Sequence, residues 1–131
     1  MKTVSRYTIL IVDDSKLARI VVGKAIAALQ PEWSRCEAGS AAEALSLMGG
    51  RSVDVVILDY NMPDRNGLDL AEELRGRFPE MPIALATANV QDEIIARARA
   101  VDVAFVPKPV TEDGLRGFLS AAALQLRSRS R

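Results

Sequence analysis

The sequence predicts an α/β fold in which a parallel sheet of five strands is covered by helices on both faces. Short apolar runs and amphipathic stretches alternate strictly along the chain, which is the pattern of repeated strand–helix units. The runs TILIV and VVIL are continuously apolar, as strands buried on both faces are, instead of alternating with polar residues. No repeat, low-complexity block or internal linker interrupts the alternation.

Each element has its own signal. YTILIV (7–12) reads as a buried strand, and Ser15 opens a helix with Leu17, Ile20, Val21 and Ala25 on one face. SRCEA (34–38) is a weaker strand. The helix that starts at Ser40 carries Ala44, Leu45 and Met48 on its apolar face and closes at Gly49 and Gly50. VDVVIL (53–58) is the third strand; the helix from Leu68 places Leu70, Leu74 and Phe78 on a shared face and stops before Pro79. PIALAT (82–87) is the fourth strand, followed by a helix over 91–100 holding Ile94, Ile95 and Ala98. VAFV (103–106) is the last strand. Thr111 then caps a final helix reaching residue 126, with Glu112 and Asp113 suited to its positive end.

Composition narrows the chemistry. The chain has 131 residues, the size of one domain with a real core. Its 17 Lys and Arg balance 17 Asp and Glu, so there is no general pull toward nucleic acid or an anionic membrane. Cys36 is the single cysteine, which rules out an internal disulfide, and in a strand it reads as a buried, inert thiol. No stretch approaches the ~20 apolar residues of a membrane span. The opening MKTVSRYTILIVDD stops at two acids and does not read as a signal peptide, so a cytoplasmic protein is expected. Histidine is absent, which removes Ser-His-Asp and Cys-His catalysis. What is left is carboxylates, hydroxyls and lysine.

Those groups stand where the strands end. Asp13 and Asp14 follow the first strand, Asp59 the third, Thr87 closes the fourth, and Lys108-Pro109 follows the fifth. Right-handed crossovers bring these ends to one edge of the sheet, where ligand sites of such folds lie. Taken singly, an Asp there is a turn former or helix cap, Thr87 a cap for the next helix, and Lys108 a solvated loop residue. Together they put three carboxylates, a hydroxyl and an ammonium in one cleft. Two carboxylates ~6 Å apart repel by about 3 kcal/mol at an effective dielectric of about 20, and one lysine does not balance three acids. A hard divalent ion such as Mg²⁺, with oxygen ligands, is the natural partner, and the set is equipped for phosphoryl transfer.

The motifs VDDS, LDYNMPDRNG, ATA and VPKP, in this order and over nearly the whole chain, resemble the receiver domain of bacterial response regulators, most of all the single-domain chemotaxis-regulator type. The resemblance implies a flavodoxin-like doubly wound sheet of order 2-1-3-4-5, a single receiver domain over 1–131 with its core at 7–126, and a short basic tail at 127–131. It implies that Asp59 accepts a phosphoryl group from a phosphohistidine on a sensor histidine kinase or histidine phosphotransfer protein. Mg²⁺ is then held by Asp14, Asp59 and the backbone carbonyl of Asn61, with Asp13 acting through water. Thr87 becomes the switch hydroxyl, Phe105 the switch aromatic, and Lys108 the contact to a phosphoryl oxygen, with a cis Lys108-Pro109 bond. On the residues alone, Phe105 reads equally as a plain half-buried strand residue and Pro109 as an ordinary trans proline. Tyr60 alternates away from Asp59 and reads as packing, Gly67 as the residue that lets the loop turn into the next helix, and Ala88 as leaving room beside Thr87. Asn61 and Asn89 stand where receivers tune access of hydrolytic water.

The expected function is therefore a phosphorylation-dependent switch whose fourth helix, fifth strand and fifth helix form the face offered to a partner. It is no enzyme beyond its own phosphorylation and dephosphorylation, acts as a monomer or a phosphorylation-dependent dimer, and carries no output domain, since only RSRSR follows the last helix. Arg97 and Arg99 are expected to help choose the partner. A haloacid-dehalogenase-like phosphatase is the enzyme alternative, but it needs an acid two residues after the nucleophile, where Asn61 stands. A docking module indifferent to phosphorylation is the other; such domains usually lack one of the acids or the lysine, all of which are present.

Overall fold

The computed structural model describes residues 7–88 and 91–129. Five strands, β1 (Thr8–Val12), β2 (Ser34–Ala38), β3 (Val55–Asp59), β4 (Ile83–Thr87) and β5 (Ala104–Pro107), alternate with α1 (Lys16–Leu29), α2 (Ala41–Gly50), α3 (Gly67–Arg77), α4 (Asp92–Ala100) and α5 (Glu112–Arg129). All neighbouring strands are parallel, in the order β2-β1-β3-β4-β5. This is the flavodoxin-like architecture. The order reverses direction beside β1, so the carboxyl ends of β1 and β3 flank the switch point where α/β sheets bind ligands.

Alternation along each strand builds two cores. Ile9, Ile11, Val55, Ile57, Ala84, Ala86 and Val106 face α1 and α5, meeting Val22, Ala25 and Ile26 of α1 and Leu115 and Leu119 of α5. Leu10, Val12, Val56, Leu58, Ile83 and Leu85 face the other way, against Ala41 and Ala44 of α2, Leu70 and Leu74 of α3, and Ile94 and Ala98 of α4. Both faces being covered explains the unbroken apolar runs. Among the described residues no helix is long and apolar enough to cross a membrane.

The caps come from small polar side chains. The Ser15, Ser40 and Asn66 oxygens accept from the N–H groups of Ala18, Glu43 and Asp69, and the Thr111 hydroxyl accepts from Gly114.

Three details differ from the sequence expectation. On α1 the buried stripe is Val22, Ala25 and Ile26, while Leu17 is 71 % exposed and Ile20 and Val21 are exposed as well. The helix is apolar nearly all round, so two overlapping stripes satisfy the helical period, and Lys24 interrupts the one that includes Leu17 and Val21. Phe78 lies outside α3 as its C-cap, its N–H bonded to the Leu74 carbonyl and its ring exposed. Finally, α5 runs to Arg129, past residue 126, because the Gln125 amide and the Arg129 guanidinium both reach the Glu80 carbonyl in the loop before β4.

Candidate functional site

The strand ends converge as the topology requires. Among the described residues only Asp13, Asp59 and Thr87 are polar or charged and buried, and each stands at the carboxyl end of its strand. Burying a carboxylate is costly unless it is paired, so their clustering marks a place where the fold accepts a cost that packing alone does not require. Asp59 is the last residue of β3 and only 4 % exposed. Ala86, the residue before Thr87, pairs with it across the sheet.

Lys108 reaches in from beyond β5. Its ammonium donates to Asp59 Oδ1 at 2.8 Å and to Asp13 Oδ2 at 3.4 Å. The Lys108 backbone N–H is bonded to the Thr87 carbonyl, which ties the lysine to the end of β4, and the Lys108-Pro109 peptide is cis. Asp14 is exposed at the mouth, and oxygen atoms of Asp13, Asp14 and Asp59 lie within 4.8 Å of one another. Asn61 is exposed just past Asp59, and its backbone donates to the Asp59 carboxylate.

The charges answer one another unequally. Burial pushes the Asp59 carboxyl above the usual carboxylate range, with Asp13 adding to the rise; the hydrogen bonds from Lys108 and Asn61 reduce it without cancelling it. Burial alone lowers the Lys108 ammonium, but the hydrogen bond and charge of Asp59, with Asp13 behind them, lift it above its ordinary value. The difference follows from exposure and number: the lysine side chain is 27 % exposed against 4 % for Asp59, and two carboxylates face one ammonium. The cleft therefore carries an excess of negative charge.

The loop after Asp59 is pinned rather than loose. Asp64 accepts from the N–H groups of Ala41 and Ala42 at the start of α2, which hold its carboxyl below the usual range. The Gly67 N–H bonds the Tyr60 carbonyl, and Arg65 pairs with Glu73 of α3. Gly67 is required for close approach: a Cβ there would collide with the Asp59 backbone carbonyl, and among the described residues no glycine has positive φ. Gly67 thus sits where the loop turns into α3, and what the turn requires of it is the missing side chain and not a left-handed backbone.

Thr87 is not at the N-cap of α4, which is Gln91, four residues on. Tyr60 packs against the α2–α4 core and Cys36 is buried. Burial also pushes the Cys36 thiol up, which keeps it protonated. Phe105 pairs with Leu85 and is half-buried. Ala88 is exposed beside Thr87, while Asn89 and residues 130–131 lie outside the described residues. Arg19 and Asp64, which hold the two loops of the cleft through backbone groups, carry no signal in the sequence, because a side chain bonded to a distant backbone leaves no periodicity.

A doubly wound parallel sheet with an acidic, lysine-bridged cleft at its carboxyl edge defines the class. The response regulator receiver domain model matches residues 9–120, and the chain belongs to this family, the receivers of two-component signalling. The chain is 39 % identical over 127 residues to the cyclic di-GMP phosphodiesterase response regulator RpfG of Xanthomonas campestris, covering 93 % of this chain and 33 % of that protein. Among solved structures, the receiver domain of an HD domain-containing protein from Pseudomonas fluorescens Pf-5 superposes with a TM-score of 0.85 at 25 % identity, covering 95 % of this chain and 99 % of that one. The chemotaxis response regulator CheY4 of Vibrio cholerae gives 0.78 at 25 % identity, covering 90 % and 99 %. The chain spans between 33 % and 43 % of the length of the first curated relatives it matches.

Proposed function

We propose that Asp59 is a phosphoacceptor and that the chain is a signalling switch set by its phosphorylation. The observation that carries this is a carboxylate 4 % exposed at a strand tip, bonded to Lys108 and beside two further acids. A sheet so rigid presents a nucleophile in one position, and the partner supplies the histidine that this chain lacks.

The donor set is all hard oxygen: the carboxylates of Asp14 and Asp59, the Asn61 carbonyl, and Asp13 through water. It fits Mg²⁺. Bound there, the ion supplies positive charge against the phosphoryl oxygens. An Asp59 oxygen attacks phosphorus; the donor's N–P bond breaks, and its electron pair returns to the imidazole nitrogen, leaving an acyl phosphate on Asp59. A carboxylate nucleophile, unlike a hydroxyl, needs no general base. Lys108 then exchanges its bond to Asp59 for one to a phosphoryl oxygen, and the Thr87 hydroxyl donates to another. Phe105 turns inward as Thr87 moves, which shifts the population toward a state whose α4–β5–α5 face binds a partner. The domain performs no other catalysis.

The donor must cover the rim of the cleft to bring phosphorus to Asp59. Leu17, Ile20 and Val21, exposed on the first turns of α1 just past Asp14, offer an apolar surface there. A helix-bearing phosphohistidine protein fits it.

The test is intact mass after incubation with acetyl phosphate, with and without Mg²⁺, on the wild type and Asp59→Asn. One phosphoryl adduct that needs the metal and is lost in the variant is expected. No adduct under any condition would sink the reading in favour of a docking module indifferent to phosphorylation.

A further inference from the structure

We propose that Arg19 is a positioning residue for the cation subsite, acting through the backbone of Asp13 and held in place by Glu37; this rests on the phosphoacceptor reading above. The Arg19 Nη1 donates to the Asp13 carbonyl oxygen at 2.6 Å, and its Nε donates to Glu37 Oε1 at 2.8 Å. The side chain is only 17 % exposed, so it crosses from α1 over the end of β1 to β2 instead of lying in solvent.

With this bond, every polar group of Asp13 is committed. Its N–H is bonded to the Ala38 carbonyl, its carbonyl to Arg19, Oδ1 to the Ser15 N–H, and Oδ2 to Lys108. The need is physical. Asp13 and Asp14 sit in the short turn between β1 and α1, and repulsion from Asp59 pushes that turn away from the cleft. Lys108 counters the push at the carboxylate, and it is the group that must let go when a phosphoryl oxygen arrives. Arg19 counters it at the backbone, from the side away from the reaction. Glu37 takes up the guanidinium charge, so the turn is anchored without placing an unpaired cation behind the metal ligands.

The experiment is Mg²⁺ titration by isothermal calorimetry on the full chain, comparing wild type, Arg19→Met, Arg19→Lys and Glu37→Gln, with melting in EDTA as the control for folding. Arg19→Met is expected to weaken Mg²⁺ binding about tenfold, the low end of what losing a supporting group behind a metal site does. Arg19→Lys, which keeps one donor, recovers part of the loss, and Glu37→Gln falls between wild type and Arg19→Met. Wild-type affinity in Arg19→Met, whatever its melting temperature, would overturn the proposal and leave Arg19 as a staple between α1 and β2. A wild type that takes up no Mg²⁺ at all overturns the phosphoacceptor reading with it.

Discussion

At the scale of single residues, the cleft trades stability for readiness. Asp59 is buried among like charges with one shared ammonium, and removing its charge relieves that arrangement. Asp59→Asn is therefore expected to raise the melting point at neutral pH in EDTA by the equivalent of about 1 kcal/mol, the usual scale for relaxing a functional site. An Asn variant less stable than wild type under those conditions would show that the Lys108 bond outweighs the repulsion. Gly67 presents the opposite case. Its substitution by Ala puts a methyl group into the Asp59 backbone, which cannot yield without moving Asp59. Gly67→Ala should cost about 1–3 kcal/mol in urea unfolding, as overpacking does. It should also slow labelling by acetyl phosphate; an Ala variant labelled at the wild-type rate would contradict the steric argument.

Among the elements, α1 and α2 repay attention. The order of the elements was legible because most strands are short apolar runs bounded by a cap or turn residue, SRCEA (34–38) being the weaker signal, and both faces of the sheet are covered. The inward stripe of α1 was not, because Leu17, Ile20 and Val21 satisfy the helical period as well as Val22, Ala25 and Ile26 do. The two stripes should separate by experiment. Ile26→Ala, at a fully buried position, is expected to cost about 2–5 kcal/mol. Leu17→Ala should stay within about 0.5 kcal/mol, as at an ordinary surface position. It should nevertheless slow phosphoryl transfer from a phosphorylated histidine phosphotransfer protein while leaving acetyl phosphate labelling alone. Equal effects on both donors would remove α1 from the docking surface.

At the start of α2, Asp64 serves as a cap supplied from another segment. Its carboxyl is held below the usual range by the N–H groups of Ala42 and Ala41, so the unfolded chain binds its proton more tightly than the native one does. The stabilisation is then present above the unfolded value of about 3.9 and disappears as pH falls through the folded value. Asp64→Asn should lose less stability than wild type between about pH 6 and about pH 3, followed by urea midpoint at each pH. Parallel curves would mean that the two hydrogen bonds contribute nothing through charge.

For the whole molecule, the sheet holds fixed what electrostatics alone would drive apart. The acids, the hydroxyl and the lysine were readable at the strand ends because topology alone brings them together; the side chains that hold the loops in place, Arg19 and Asp64, were not. On the reading proposed above, the site takes a hard cation only in the folded chain, since unfolding separates Asp13 and Asp14 from Asp59. Mg²⁺ is then expected to stabilise the protein by mass action, by about 2.7 kcal/mol at a free concentration roughly 100 times its Kd. For a domain of this size that corresponds to a rise on the order of 10 °C in melting temperature. The rise should follow the logarithm of Mg²⁺ concentration and shrink in Asp14→Asn, which removes one exposed carboxylate from the mouth. NaCl at matched ionic strength should not reproduce it, because the effect comes from coordination and not from screening. If NaCl gives the same rise, the three acids are a patch of surface charge and not a metal centre.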